Sequence, residues 1–586
     1  MPLLPIALLW CWIGIINRLP APPLVISKEI TYITSPLTAD GHLDFFKALE
    51  ERVYPPEFAT DDNGYRIFVR LFGYVGDAEP EDREFYRRQT YEKLGLDPDI
   101  PTTLVLPEEP DKVIEEFHKA NGEVYREDST LTSTEITQLL ERENEQYDKD
   151  GKKYRERENN QWDRPWTLEE FPMLADWIKE IDEPLDAIAE AIRKPIFCFP
   201  LLQTPESVQS GQPKNLLSMP LSIVVSCRSI ARLFRVRAMY RIGQGDIDGA
   251  IEDKLTMHRL GRQIHQNGQV ILVQYIVSIS IEGMATVIPV NANPEHPLTE
   301  RHIRRILDGY DALPPHTPVT DAYEGDRFVG LSALQEVMDD EERKHSFSRL
   351  FGMSRYDWNI VYRRVNDMYD ALQEPPPLVR FHDIIETAET RLEQYNRIAW
   401  RRFVLWLTPR NFENVVADLL IGLWSPAAEF TEGAVLQRDC LENLQRLTWA
   451  ILLYQCEHGK LPDENWTEQI KPYLGENPEQ YFSCPANPCL QEQTTYAMIQ
   501  YGDALPTEPH TLLLIELPEA VPLDKAVIAV DDVIAMVKEE RIKVHPGGMT
   551  AAYRSGAVNL LSQSMAERNY VASWDAAGNN AKERRT

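Results

Sequence analysis

The stretch LQRDCLENLQRLTWAILLYQCEHG, Leu436 to Gly459, constrains this chain most. Cys440, Leu444, Leu447, Ile451 and Tyr454 recur at spacings of four and three, which places them on one face of a helix. Leu441, Thr448 and Leu452 widen that face, while Gln437, Arg438, Glu442, Gln445 and Arg446 lie mostly off it. His458 in the last turn, Gly459 as a left-handed cap and Pro462 just beyond mark the stop. At 1.5 Å per residue such a helix is roughly 35 Å long. An apolar stripe of that length needs a sheet or several helices to cover it.

The chain after Gly459 offers the sheet. TTYAMIQ (494–500), TLLLIEL (511–517) and AVIAV (526–530) have strand character. Thr550 to Tyr553 and Ala557 to Leu561 pair as a hairpin around the small turn Arg554, Ser555, Gly556. Pro546, Gly547 and Gly548 force a tight approach just before it, next to His545. The chain before the helix is mostly helical. Residues 232–266 give helix, glycine turn, helix, with Ala238, Gly243, Asp246 and Ala250 in the order of a tetratricopeptide repeat. No second copy follows at the period of about 34 residues, so a peptide-binding array is disfavoured. VILVQYIVSISIEGMATVIPV (270–290) carries Gln274, Ser278, Ser280 and Glu282 and predicts a buried helix rather than a membrane span. The expected fold class is therefore α+β: mostly α-helical N-terminal and central regions, then a long helix packed on a small antiparallel β-sheet. The expected divisions are a membrane anchor (1–20), a charged region (21–165), a helical domain (166–430), the helix-and-sheet module (431–563) and a disordered tail (564–586).

The anchor rests on residues 3–16, LLPIALLWCWIGII, which are continuously apolar. Fourteen residues fall short of the roughly 20 that span a bilayer. Trp10 and Trp12 suit an interface, and Asn17 with a snorkelling Arg18 would complete the run. Contact with a membrane through residues 3–18 and an extracytoplasmic body are expected; a cleaved signal peptide and a buried core helix are the alternatives.

Charge and cysteine usage exclude other classes. A net charge of −31 argues against nucleic acid as a partner, since phosphate neutralisation needs clustered Lys and Arg. Seven cysteines include no CxxC pair. Cys440 and Cys456 lie about 24 Å apart on one helix and cannot bridge. Cys484 and Cys489, in CPANPC, are either a loop disulfide or two separate thiols. His258 and His265 share a helix face without a carboxylate at fixed spacing, and the acidic run 141–160 lacks the order of a calcium loop. No Gly-x-Ser-x-Gly elbow, phosphate loop or His-Glu-x-x-His is present. No cofactor, metal ligand set or catalytic residue is therefore expected.

Two resemblances bear on identity. Pro36, Leu37, Asp40, Gly41, Asp44, Ala48 and Leu49, followed by Asp62, Asn63 and Gly73, resemble the N-terminal portion of large uncharacterised planctomycete membrane-anchored proteins, which implies no activity. The C-terminal part resembles pseudopilin-like proteins, and more closely the prepilin-associated domain defined by His, nine residues, then Asp-Gly. Here His545 precedes Ser555 and Gly556 at that spacing, with Ser in place of Asp. Tyr454, Gly459, Pro462, Cys484-Pro485, Tyr496 and Glu516 are further matches. The long helix is too polar at its N-terminal end to be a filament stem, so the resemblance implies a pilin-like head. It implies a non-enzymatic protein with an assembly or interaction role linked to a pilin- or secretion-like system. A hydrolase or metal-binding enzyme using His545 with Glu516, Asp531 and Asp532, and a helical-repeat peptide binder over 232–290, are the alternatives.

Overall fold

The computed structural model describes residues 22–76, 78–108, 112–113, 164–210, 216–266, 271–339, 357–374, 379–397, 409–490, 492–500, 511–538, 544–545 and 548–561. Its longer helices in chain order are α1 (Phe45–Val53), α2 (Gly64–Phe72), α3 (Arg83–Lys93), α4 (Ala175–Ile192), α5 (Ser222–Gly243) and α6 (Ile247–Ile264). They continue with α7 (Leu272–Thr286), α8 (Glu300–Asp311), α9 (Val319–Asp339), α10 (Trp358–Leu372), α11 (Val379–Arg397), α12 (Pro409–His458) and α13 (Val530–Lys538).

Local chemistry starts and stops these helices. Asp44 caps α1 by accepting from the Lys47 amide (2.9 Å). Asn63 is fully buried; it caps α2 through the Tyr65 amide (3.0 Å) and holds both backbone groups of Cys198. Asp44, Asn63 and Gly73, which ends α2 at φ +81°, thus act as capping and turn residues in the N-terminal resemblance. The predicted hairpin over 232–266 is α5, a turn with Gly245 at φ +80°, and α6, whose N-cap Asp246 accepts from the Gly249 amide (3.0 Å). α7 closes a three-helix layer with this pair. Lys254 on α6 donates to the carbonyls of Ala285 (2.6 Å) and Thr286 (3.3 Å) at the end of α7.

The long helix is longer than the sequence suggests. α12 has 50 residues and runs through Pro426 without a break. Proline removes the amide that would bond the carbonyl four residues back, which is that of Gly422. The Ser425 hydroxyl donates to that carbonyl instead (3.4 Å), so the helix continues. α12 packs against α7, α8, α10 and α11 along its length, and its C-terminal half lies on the sheet.

The sheet has five strands: β1 (Gln493–Gln500), β2 (Leu512–Pro522), β3 (Val527–Ala529), β4 (Met549–Tyr553) and β5 (Val558–Leu561), in the order β3-β1-β2-β4-β5. It is mixed rather than antiparallel as expected. After β2 a short turn over Leu523–Lys525 carries the chain past the end of β1, so β3 runs parallel to β1 on its far side. The other pairings are antiparallel. Strand alternation divides the buried side chains. Tyr496, Met498, Leu514, Ala552 and Val558 join the core under α12. Ala497, Ile499, Ile515, Ala551 and Leu561 join Val533 and Met536 of α13 on the other face.

The N-terminal anchor needs correction. Residues 3–18 and 564–586 lie outside the described residues. Among the described residues, the helix long and apolar enough to cross a membrane is Leu216–Gly243, in the middle of the chain. Its apolar length has a packing cause: Ile230, Leu233, Phe234, Val236, Ala238 and Met239 are buried within the helical body. Arg237 sits among them, paired with Asp253 of α6 at 2.6 Å. The single N-terminal span and the extracytoplasmic body expected from it are not retained.

Candidate metal centre

Four residues far apart in sequence meet beneath the long helix: Cys440, Cys484, Glu516 and His545, all buried. Each is placed by a different element. Cys440 lies on the apolar stripe of α12 and faces the sheet, where its sulfur meets the Tyr496 and Thr550 hydroxyls (3.0 Å each). Cys484 sits in a tight turn that closes through the Asn487 amide (3.0 Å). Its own amide donates to Thr495 Oγ1 (2.7 Å), which docks the turn on β1. Glu516 is on β2, opposite Tyr496 in the register. His545 precedes β4 and exchanges both backbone hydrogen bonds with Gly548 (2.8 and 3.0 Å).

The donor atoms of the four residues all lie within 4.8 Å of one another. His545 Nε2 is 3.5 Å from Cys484 Sγ and 3.2 Å from Glu516 Oε2. Zinc holds sulfur at about 2.3 Å and nitrogen or oxygen at about 2.0–2.1 Å, so tetrahedral edges are about 3.5 Å for S···N and about 3.3 Å for N···O. Both observed distances match those edges. Glu516 Oε2 also accepts from the amide (3.0 Å) and hydroxyl (2.8 Å) of Thr550, which orients the carboxylate. Glu516 Oε1 is buried with no hydrogen-bond partner among the described residues.

The four groups shift one another's charge. Burial opposes charge on His545, yet its bonds to Cys484 and Glu516 push it up to about 9. Burial likewise opposes the charge on Glu516, but His545 holds it below the ordinary carboxylate range. The hydrogen bond from Cys440 pulls Cys484 down to about 7, helped by His545, while burial pushes Cys440 up. Thiolate, imidazole and carboxylate in one buried cluster are the donor set of a zinc-class cation.

A nucleophilic relay does not fit the same geometry. A catalytic base uses one ring nitrogen for the nucleophile and the other for the orienting carboxylate. Here a single nitrogen, Nε2, faces both the thiol and the carboxylate. Nε2 makes a hydrogen bond with the thiol and an ion pair with the carboxylate, and the same convergence fits a coordinated ion.

The sequence-predicted residues are only partly united. His545 and Glu516 meet, while Asp531 and Asp532 are exposed on the first turn of α13 and take no part in the cluster. Cys484, Glu516 and His545 meet, and Tyr496 touches the cluster through Cys440. Cys484 and Cys489 are separate free thiols: Cys489 turns to the Gln493 carbonyl (3.3 Å), Cys484 to His545. Gly547 lies outside the described residues; Gly548 answers His545 across the turn, and Ser555 and Gly556 form the β4–β5 turn. Cys440 was legible only as an interior position of the helix stripe. Its one signal is that a thiol replaces an aliphatic side chain there.

No protein-family model matches the chain, and no curated protein or solved structure matches it.

Proposed function

We propose that this chain is a metal-binding protein of the zinc class. One ion held by Cys440, Cys484, Glu516 and His545 joins the long helix to the sheet and supports a non-catalytic assembly or interaction role. The observation that carries this reading is the single His545 nitrogen standing at tetrahedral-edge distances from both a thiol and a carboxylate. Four protein ligands fill a tetrahedral shell, which is the pattern of structural sites; catalytic sites keep a position open. The pilin-like reading of the module draws support from the long helix lying over β4, β5 and β2.

The test uses the full chain equilibrated with Co2+ and then with Zn2+, each followed by desalting. The expected result is thiolate-to-cobalt charge-transfer absorption in the wild type that Zn2+ displaces. Cys484→Ser and His545→Gln should weaken or abolish it. Free Zn2+ at a thousand times its Kd should stabilise the fold by about 4 kcal/mol. A wild type without the charge-transfer band, or a Cys440→Ser/Cys484→Ser variant that keeps it, overturns the reading.

A further inference from the structure

A second cluster lies on the other side of the long helix, and the metal centre just described does not use it. His265 ends α6, Glu282 is on α7, and His316 is in the connection between α8 and α9. Their donor atoms lie within 4.8 Å of one another. His316 Nδ1 stands 3.6 Å from Glu282 Oε1, beyond hydrogen-bond reach and near the N···O edge expected about a coordinated ion.

The distribution of partners is the telling feature. Glu282 Oε1, His316 Nδ1 and both ring nitrogens of His265 are buried and have no hydrogen-bond partner among the described residues. A buried polar group left unmet is destabilising. The opposite atoms are firmly held. Glu282 Oε2 accepts from Arg262 Nε (3.2 Å), and His316 Nε2 pairs with Glu442 Oε2 (2.9 Å). Glu442 is in turn held by Arg262 (2.8 Å). In metal sites a carboxylate commonly orients a ligating histidine through its second nitrogen.

We propose that His265, Glu282 and His316 bind a divalent first-row transition ion, as a two-histidine, one-carboxylate set with an open coordination position. Three protein ligands leave room for water or a small anion, and His316 at one-fifth exposed marks the solvent side. The absence of thiolate separates this site chemically from the one under the sheet: nitrogen and oxygen donors accept Fe2+, Co2+ or Zn2+.

The experiment counts ions on the full chain with Co2+ as the probe. The wild type should bind two equivalents, only one of them giving thiolate charge transfer. His316→Gln and His265→Gln should each lose one equivalent and keep the charge-transfer band. Cys440→Ser/Cys484→Ser should lose the band and keep the other equivalent, so failure of one site is told apart from failure of the other. The inference is overturned if the histidine variants bind as many ions as the wild type, or if the wild type binds cobalt at thiolate alone. Crystals of the wild type soaked in Co2+ give a readout independent of variant folding. An anomalous peak between His265, Glu282 and His316 supports the site, and none there beside an occupied thiolate site refutes it.

Discussion

Gly556 offers a sharp test of how the hairpin closes on the long helix. It sits in the β4–β5 turn at φ +77°, its amide donating to the Tyr553 carbonyl (2.9 Å). The turn is tied to the helical body as well, because Asn291 donates to the carbonyls of Ser555 (2.9 Å) and Arg554 (3.0 Å). A methyl group on Gly556 would overlap the six-membered ring of Trp449 on α12, which is fully buried. Two costs add in Gly556→Ala: about 1–2 kcal/mol for holding an L-residue in the left-handed region, and about 1–3 kcal/mol for overpacking. Gly459→Ala is the control. Gly459 has φ +71° and nothing within 4 Å of the added methyl, so only the first cost applies, and at the exposed end of α12.

Amide hydrogen exchange of the β4–β5 peptide is the suitable assay, because a chain of 586 residues need not unfold in one step. Gly556→Ala should speed exchange there about 30-fold or more, the equivalent of at least about 2 kcal/mol. Gly459→Ala should leave β4–β5 unchanged. Replacing the ring by Trp449→Leu in the Gly556→Ala background should return about 1–3 kcal/mol relative to additivity. Exchange within about threefold of wild type in Gly556→Ala, or strict additivity with Trp449→Leu, would refute the contact as the cause.

Two further outcomes follow from buried charges in the helical layer. Arg237→Met strands Asp253, which is 1 % exposed, and should destabilise by about 3 kcal/mol, the low end for a broken buried pair because Arg241 stays 3.0 Å from the carboxylate. Asp253→Asn should cost less, since Arg237 keeps Asp186 at 2.9 Å; equal losses in urea titrations would count against the pairing. Burial pushes Lys254 down to about 7, so the unfolded chain binds the extra proton between pH 7 and its ordinary range. Stability relative to Lys254→Met should therefore rise with pH above 7, by at most about 1.4 kcal/mol per unit, and be flat below it. The two carbonyls that accept from Lys254 favour the ammonium and make that slope an upper bound. A wild-type-minus-variant difference that is constant from pH 7 to 9 would show that the amine stays charged.

What was legible in the sequence is local chemistry. The stop of α12 at His458 and Gly459, the α5–α6 hairpin and the β4–β5 hairpin are each written in a few adjacent residues with fixed backbone demands. The start of α12 was not legible, because proline is read as a break and the remedy at Ser425 is a hydroxyl that is common in loops too. The parallel placement of β3 depends on how a short turn rounds the end of β1, which no strand pattern encodes. The first cluster was legible only as the pair His545 and Glu516, and the second was not legible as a cluster. Cys440 and His545 are separated by over a hundred positions, and His316 has no periodic neighbour at all. Residue identity at Cys484, Glu516 and His545 hinted at chemistry, while their convergence is a property of the register that sets Tyr496 against Glu516.

The helix that organises the chain also shows where amphipathic reasoning fails. Polar residues off an apolar stripe are ordinarily a solvent face. On α12 they form a second interface. Arg438 donates to the Tyr275 hydroxyl (3.2 Å), Gln445 donates to the Thr286 carbonyl (2.9 Å), and Arg446 pairs with Asp311 of α8 (2.6 Å). Glu442 reaches Arg262 and His316 on the same side. Cys440 and Glu442 are two residues apart, a turn of about 200°, so one faces the sheet and the other the helical body. The helix is therefore wrapped on both sides over these turns, by apolar packing toward the sheet and by paired charges toward α6, α7 and α8. Such pairs are costly to desolvate and are kept only where each charge has its partner. That requirement fixes the helix in rotation as well as in position. It is why a thiol two residues from a carboxylate can serve two clusters with different chemistry.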